Sequence, residues 1–304
     1  MASISRRDFL RTTGMTGVAA LAATAVPRAW ASPMGRPIGI QLYVVREPMA
    51  KDAPGTLKQL RAIGYSEVEC AGFGTYTAKQ FRGLIDDAGL KCPSAHLPLV
   101  TSDPGPAFDD AHALGVTYAT SSILRDFKPA PGTPKNAPFP PLGRDGFMRT
   151  AERMNDLGRK AKQAGLRYAY HNHNFEFEQI GDGKTGYDLL LQETDPEVVF
   201  FEIDCGWMTV AGFNPVDYMR KFPKRIRMLH IKDFPPLAHP TIQLRGPERP
   251  NGVELGKGFI HYDNIFREGR KIGIEHCFAE EEGPYEVPQI EAAKVDFQYL
   301  NSFS

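Results

Sequence analysis

Short apolar runs alternate with amphipathic segments along almost the whole chain, and this alternation restricts the fold more than any other feature. Eight apolar runs are typical of strands: 38–44, 66–70, 90–96, 116–120, 166–171, 198–204, 226–232 and 274–280. Eight segments with helical spacing follow them in turn: 53–63, 78–88, 108–114, 146–164, 187–193, 215–221, 261–271 and 287–300. Strands that are apolar throughout and separated by helices indicate a parallel sheet buried on both faces.

Glycine recurs where a predicted helix gives way to the next strand, as at Gly64, Gly165 and Gly273. Glycine at this place supplies the left-handed residue that ends a helix. Eight such units over about 270 residues favour a (β/α)8 TIM barrel over an open doubly wound sheet. No G-x-G-x-x-G follows the first strand, which argues against a dinucleotide-binding domain. We therefore predict one α/β domain over residues 32–304, with Pro-rich and Gly-rich loops 128–142 and 233–258 covering the barrel mouth.

Residues 1–31 have the layout of an export signal. The pair Arg6-Arg7 precedes Phe9-Leu10, a weakly apolar stretch follows, and the segment closes on Ala29-Trp30-Ala31. The arginine pair resembles the twin-arginine signal of bacteria, which implies the twin-arginine export machinery as a partner and a periplasmic mature protein. The apolar stretch lacks the Leu, Ile and Phe content of a membrane anchor. A disordered basic tail is the alternative interpretation.

The charge balance limits the choice of partners. The chain has 36 Lys plus Arg and 36 Asp plus Glu, and removal of residues 1–31 leaves 32 against 35, a formal charge of −3. Without surplus basic residues to neutralise phosphates, we expect no nucleic-acid partner. We also expect no membrane span in the mature chain, and its oligomeric state cannot be read from the sequence. The four cysteines have no CxxC spacing and lie mostly in apolar runs, so we expect free, buried thiols.

Ionisable residues follow six of the eight predicted strands. These strand ends contain Glu69, His96, His171 to His173, Asp204, His230 to Asp233, and Glu280 to Glu282. Burying such groups unpaired is costly, and the carboxyl ends of the strands are where a barrel of this type holds its chemistry. Any one of these residues could be a surface carboxylate or a satisfied core histidine. Together they predict one divalent metal ion, Mn²⁺, Mg²⁺, Co²⁺ or Zn²⁺, because mixed imidazole and carboxylate ligands suit these ions.

Four motifs at these strand ends carry a family resemblance. They are Tyr-His-Asn-His-Asn-Phe-Glu-Phe (170–177), Glu-Ile-Asp-Cys-Gly-Trp (202–207), Leu-His-Ile-Lys-Asp (229–233) and Phe-Ala-Glu-Glu-Glu (278–282). In this order and spacing they resemble the xylose-isomerase-like TIM barrels known as sugar phosphate isomerases/epimerases, over residues 38–304. That resemblance implies one metal ion held by Glu, Asp, His and Glu. Asp204, His230 and Glu280 match three of the four ligands, and His171 stands where the first Glu would be.

The resemblance also implies an activity. It points to a metal-dependent isomerase or epimerase that moves a proton next to the carbonyl of a keto-sugar, a cyclitol or a related carbohydrate, through a metal-stabilised enediolate. The catalytic candidates are Glu280, His171, His173 and Lys232. The candidates for substrate contact are Glu69, His96, Glu176 and Trp207, with Glu176 also able to orient a histidine. A solvated lysine at position 232 and simple packing of Trp207 remain open.

Other activities stay open from the same residues. Expulsion of a leaving group after loss of the proton would make the protein a lyase, a dehydratase or a hydrolase of 3-keto-glycosides or inososes. A sugar-binding barrel without catalysis would not need the metal ligands. An apurinic-site endonuclease would need a basic face, which a formal charge of −3 does not favour. Export makes a free carbohydrate a better candidate than a sugar phosphate.

Overall fold

The computed structural model describes residues 32–101, 103–125, 132–134 and 136–303; the predicted export signal, residues 1–31, lies outside this part of the chain. Eight strands within the described residues close a parallel barrel. They are β1 (Ile38–Gln41), β2 (Glu67–Cys70), β3 (Lys91–His96), β4 (Tyr118–Ser121), β5 (Arg167–His171), β6 (Val199–Asp204), β7 (Ile226–Ile231) and β8 (His276–Ala279).

Helices separate consecutive strands. In the described residues they are α1 (Arg46–Lys51), α2 (Ala53–Ile63), α3 (Ala78–Asp87), α4 (Gly105–Leu114), α5 (Gly143–Gln163), α6 (Gly186–Glu193), α7 (Cys205–Val210), α8 (Pro215–Lys221), α9 (Asp263–Ile272) and α10 (Gln289–Asn301). None of the described helices has both the length and the apolar character needed to cross a membrane.

The strands follow chain order around the barrel, and β8 pairs with β1 through Ile40 and Ala279 to close it. This confirms the predicted (β/α)8 fold in a single domain. The predicted role of glycine at helix ends is confirmed at Gly273, which ends α9 in the left-handed conformation with φ 79°.

Two local features differ from the predicted elements. The first strand stops at Gln41, because Leu42–Val45 forms a 3-10 helix that leads into α1. The short helix α7 begins directly after Asp204, whose carboxylate accepts a hydrogen bond of 2.7 Å from the backbone N–H of Trp207. Such a bond caps the first turn of a helix, so the same side chain that ends β6 also starts α7.

The apolar core has two parts. The larger part lies between the barrel and its helices, and it includes all four cysteines. The smaller part fills the barrel interior with Tyr118, Ala169, Met228 and Phe278, against which Phe200 packs. Below it, at the amino ends of the strands, His276 pairs with Glu67 at 2.8 Å. The ionisable residues at the carboxyl ends of the strands therefore lie on the other side of this filled interior, at the opposite mouth of the barrel.

The four thiols are buried, as predicted, and none is in a disulfide. The Sγ atoms of Cys70 and Cys92 approach to 3.4 Å across β2 and β3. Cys70 and Cys205 pack in the outer layer. This placement follows from strand alternation, since each cysteine is adjacent in sequence to a carboxylate, Glu69 or Asp204, that lies at the barrel mouth.

Candidate metal centre

Four side chains meet at the carboxyl ends of consecutive strands. His171 ends β5, Asp204 ends β6, His230 lies near the end of β7, and Glu280 follows β8. Each offers a ligand atom, and these four atoms all lie within 4.8 Å of one another; all four residues are buried. The structure therefore brings together the residues that the sequence predicted as ligands.

Each of the two imidazoles lies between two carboxylates. The Nδ1 atom of His171 is 3.1 Å from Glu202, and its Nε2 atom is 3.9 Å from Asp204. The Nε2 atom of His230 lies 2.6 Å from Glu69, and its Nδ1 atom lies 2.7 Å from Glu280. In each ring one nitrogen thus faces a predicted carboxylate ligand, Asp204 or Glu280. The other nitrogen faces a buried carboxylate that is not a predicted ligand, Glu202 or Glu69. This is the arrangement that orients metal-binding histidines in known proteins.

Glu69, predicted as a substrate contact, is fully buried behind His230. Besides His230, it accepts hydrogen bonds from Gln41 at 2.8 Å and from Ser94 at 2.5 Å. Its carboxylate therefore closes a network among β1, β2, β3 and β7.

Glu202 is a residue of the site that the sequence analysis missed. One of its carboxylate oxygens lies 3.1 Å from both His96 and His171 and 3.2 Å from His230. Alternation along β6 places Glu202 on the same face as Asp204, two residues later, and that spacing was the signal that could have found it. His96, His171, Glu202 and His230 form a second group whose ligand atoms lie within 4.8 Å of one another.

The charges in the site follow from this pairing. Burial works against the ionised form of Glu69, but the charges of His96 and His230 hold its pKa well below the usual range. Burial also opposes protonation of His230, yet Glu202, Glu280 and Glu69 raise its pKa well above the usual value. The pKa of His171 is lowered, by burial first and then by the charge on His230. His171 is consequently neutral, with a ring nitrogen available to bind a cation.

Two buried oxygens support the fit of a cation to this site. Asp204 Oδ2 and Glu202 Oε1 have no hydrogen-bond partner, although Asp204 Oδ2 forms an ion pair with the Lys232 ammonium group at 3.3 Å. A buried acceptor without a hydrogen-bond partner costs stability. Burial raises the pKa of Asp204 to about 6. Two imidazole nitrogens and two carboxylates are a donor set that divalent transition metals and Zn²⁺ accept. The residues present therefore fit the metal ion that the sequence predicted.

A cavity of about 610 Å³ opens above this cluster. Of the predicted site residues, His96, His171, His173 and Glu280 line it, and Glu69, Glu176, Lys232 and Trp207 are not among its lining residues. The other lining residues are Gln41, Tyr43, Ala71, Ser122, Ile123, Asn136, Leu244, Arg245, Gly246, Arg249 and Glu282. The cavity gives a small molecule access to two of the four predicted ligands.

Lys232 and Trp207 are fully buried and hold Glu282 in place. The Lys232 ammonium group lies 2.5 Å from Glu282, 3.1 Å from Glu280 and 3.3 Å from Asp204. The indole N–H of Trp207 donates to Glu282 at 3.1 Å. The alternative interpretation of Lys232 as a solvated lysine is excluded by its burial. Both residues support the carboxylates that face the cavity, and their predicted contacts with substrate stay predictions.

Glu176 contacts His173 through the backbone of that residue, and the prediction that Glu176 orients a histidine ring stays a prediction. One of its carboxylate oxygens accepts the backbone N–H of His173 at 2.9 Å, and the other accepts the hydroxyl of Tyr170 at 2.7 Å. Burial raises the pKa of Glu176 to about 8. The Nδ1 atom of His173 is buried without a hydrogen-bond partner, so a polar atom of this cavity-lining residue is left free.

Comparison with known proteins agrees with the fold. An inosose dehydratase of Clostridium beijerinckii is 34% identical over 123 residues, which is 38% of this chain and 40% of that protein. The match thus spans less than half of that relative's length. A crystal structure of a sugar phosphate isomerase/epimerase from Parabacteroides distasonis superposes with a TM-score of 0.71 at 26% identity, covering 87% of this chain and 97% of the other.

A more distant structure, a xylose isomerase-like TIM barrel protein from Mycobacterium smegmatis in complex with magnesium, has a TM-score of 0.61 at 16% identity. The superposition covers 89% of this chain and 97% of the M. smegmatis chain. At this identity the likeness concerns the fold alone. The family model described as a xylose isomerase-like TIM barrel matches residues 57–303. The chain therefore belongs to the xylose isomerase-like TIM barrel family.

Proposed function

We propose that this protein is a divalent-metal-dependent enzyme that moves a proton at the carbon next to the carbonyl of a keto-sugar or keto-cyclitol. The observation that carries the proposal is the convergence of His171, Asp204, His230 and Glu280 beneath an open cavity. We favour this group over the one that contains Glu202, because Glu280 lines the cavity and Glu202 does not. A substrate can reach the ion through this cavity.

In this proposal Asp204, His230, Glu280 and His171 hold the ion. When bound, a divalent ion supplies a Lewis acid that stabilises the negative charge developing on a carbonyl oxygen as the neighbouring carbon loses its proton. Glu69 and Glu202 fix the rings of His230 and His171 through the hydrogen bonds described above. Lys232 keeps Glu280 and Glu282 directed at the cavity.

The proton transfer falls to side chains that line the cavity. Glu280 offers a carboxylate, and His173 offers a buried ring nitrogen without a partner. Both types of group act as general acids and bases. We assign these two residues to the two proton positions, with His171 as the alternative to His173.

The fate of the proton decides between two outcomes. Its return to the same or the neighbouring carbon gives epimerisation or isomerisation. The second candidate is elimination, in which the bond to a leaving group on the next carbon breaks and the leaving group departs with the electron pair and a proton. The similarity to an inosose dehydratase favours this second candidate.

Proton exchange in D₂O tests the proposal. The metal-loaded protein is incubated with inososes, free keto-sugars and 3-keto-glycosides, and the products are analysed by NMR and mass spectrometry. Deuterium at the carbon next to the carbonyl without loss of mass supports isomerisation or epimerisation, whereas loss of water or of the aglycone supports elimination. The Asp204→Asn variant should be inactive. Absence of exchange with every substrate would contradict the proposal.

Export to the periplasm is a separate proposal, which depends on residues 1–31. The twin-arginine pair supports it, since both arginines are read by the export machinery. Cell fractionation of the native protein and of an Arg6→Lys, Arg7→Lys double variant tests it. We expect periplasmic protein beginning at Ser32 in the first case and cytoplasmic protein in the second.

A further inference from the structure

We propose that a second cavity beside the metal centre binds the ring on the leaving side of a glycosidic bond, so that the substrate is a keto-glycoside rather than a free keto-sugar. This inference rests on the proposed function and narrows its substrate class. The occupant is a ring with an apolar face, joined through a glycosidic oxygen to the keto-sugar at the metal.

The second cavity measures about 430 Å³ and lies between the segments that follow β1 and β2. Its lining residues include Tyr43, Arg46, Lys51, Ala71, Phe73 and Tyr76. Two of these residues, Tyr43 and Ala71, also line the cavity above the metal centre. The two spaces are therefore neighbours that share a boundary, as two rings of one ligand would require.

Tyr43 stands at this boundary with its ring exposed. It is 43% exposed, and among the described residues the other large apolar side chains this exposed are Val100 and Ile242. The Arg46 guanidinium lies 4.6 Å from the centre of the Tyr43 ring and donates to the Tyr43 backbone carbonyl at 3.1 Å. An exposed aromatic ring that is held in position is well suited to stack against a ligand, because little freedom is lost on binding.

Arg46 also ties this boundary to the metal centre. Its guanidinium donates to the hydroxyl of Tyr285 at 3.0 Å, and that hydroxyl donates to the carbonyl of Glu281 at 2.6 Å. Glu281 lies between Glu280 and Glu282, both of which line the first cavity. The stacking ring and the carboxylates of the site are thus linked through three hydrogen-bonded residues.

The walls of the second cavity indicate the chemistry of its occupant. Phe73, Tyr76 and Phe81 form an aromatic group with ring centres 6.0 and 6.3 Å apart, and Met49 adds a further apolar surface. The charged lining residues are Arg46 and Lys51, and no carboxylate is among them. Such a space favours a ring with an apolar face, which both aryl groups and pyranose sugars offer.

Binding of unreactive glycosides tests the subsite separately from turnover. Isothermal titration of the metal-loaded protein compares methyl, phenyl and glucosyl β-glucosides, which lack the ketone and so cannot react. We expect phenyl glucoside to bind about tenfold more tightly than methyl glucoside, the upper part of the range for a good ring contact. A gain for the glucosyl compound alone would identify the occupant as a sugar ring, and a gain for the phenyl compound alone would identify it as an aryl ring.

Variants of Tyr43 assign the effect to the boundary ring. Tyr43→Ala should remove the advantage of the ring-bearing glycosides, and Tyr43→Phe should keep it. Ile242→Ala is the matched control, because Ile242 is 41% exposed and lines neither cavity. Equal affinities for all three glycosides in the native protein, no binding of any of them, or an advantage that persists in Tyr43→Ala would each overturn the subsite.

The outcomes separate this inference from the proposed function. A ring advantage that depends on Tyr43, combined with no proton exchange on any keto-sugar, would keep the subsite and remove the proposed reaction. Proton exchange combined with equal affinities would keep the reaction and remove the subsite.

Discussion

The Nε2 atom of His230 lies 2.6 Å from a carboxylate oxygen of Glu69, although the two residues are 161 positions apart in the chain. Glu69 belongs to β2 and His230 to β7, which are not neighbours in the barrel. The contact therefore crosses the barrel interior. It fixes the His230 ring so that Nδ1 faces Glu280, and this makes Glu69 part of the support of the metal centre.

Loss of a predicted ligand should abolish metal binding. In His230→Gln and Asp204→Asn one donor of four is lost, and we expect metal content after purification to fall from one ion per chain to nearly none, as elemental analysis would show. His276→Gln is the matched control, since His276 pairs with Glu67 at the opposite end of the barrel. The site assignment fails if both ligand variants keep the metal content of the control.

Removal of a supporting carboxylate should weaken the site without destroying it. We expect Glu69→Gln and Glu202→Gln to lower metal affinity by about 10–100-fold, the usual cost of losing the partner that orients a histidine ligand. Competition with a chelator measures this affinity. Glu178→Gln serves as the control, because Glu178 accepts backbone N–H groups from Leu142 and Gly143 instead. Unchanged affinity in both variants would show that these carboxylates do not position the ligands.

Lys232 should stabilise the metal-free protein strongly. Its replacement by Met leaves Asp204, Glu280 and Glu282 buried without their common cation, and breaking a buried pair in this way costs about 3–5 kcal/mol. Urea unfolding of the metal-free protein measures the loss, and an added divalent ion should restore part of it. Lys221→Met is the control, because its pair with Asp188 is exposed and worth at most about 1 kcal/mol. Equal losses in the two variants would contradict this prediction.

The four thiols should be unreactive in the native protein at pH 8. Burial raises the pKa of Cys277 to about 12 and raises that of Cys205 well above its usual value. The thiolate is the reactive form, so a thiol reacts slowly at any pH below its pKa. Reactivity should grow only as the pH rises towards the raised pKa. Titration with a thiol reagent checks this. Four thiols should react after unfolding without reductant, and two fewer would reveal a disulfide, with Cys70 and Cys92 the nearest pair.

Local periodicity explains why the ligand positions could be predicted. Parallel strands in a closed barrel present their carboxyl ends at one mouth, so polar residues at those ends must meet. This reasoning placed the strand ends that contain His171, Asp204, His230 and Glu280 at one mouth, and the family resemblance then singled out these four residues as ligands. It overlooked Glu202, although alternation along β6 puts that residue on the face of Asp204.

Strand periodicity did not predict which residues each side chain contacts. Trp207 and Lys232 are suitable types to contact a sugar, yet the structure places both beneath Glu282. The position of Trp207 depends on α7, which starts because Asp204 caps it. No pattern in the sequence predicted that helix.

Periodicities of two and 3.6 residues along single segments were enough to predict the barrel and the mouth at which its ionisable residues gather. The family motifs added His171, Asp204, His230 and Glu280 as ligands. The folded chain was needed to show which carboxylate supports which imidazole, which aromatic rings are buried, and that a second cavity adjoins the first at Tyr43. The physical reason is closure: the stagger and tilt of eight strands set the distances across the barrel, and no single segment contains that information.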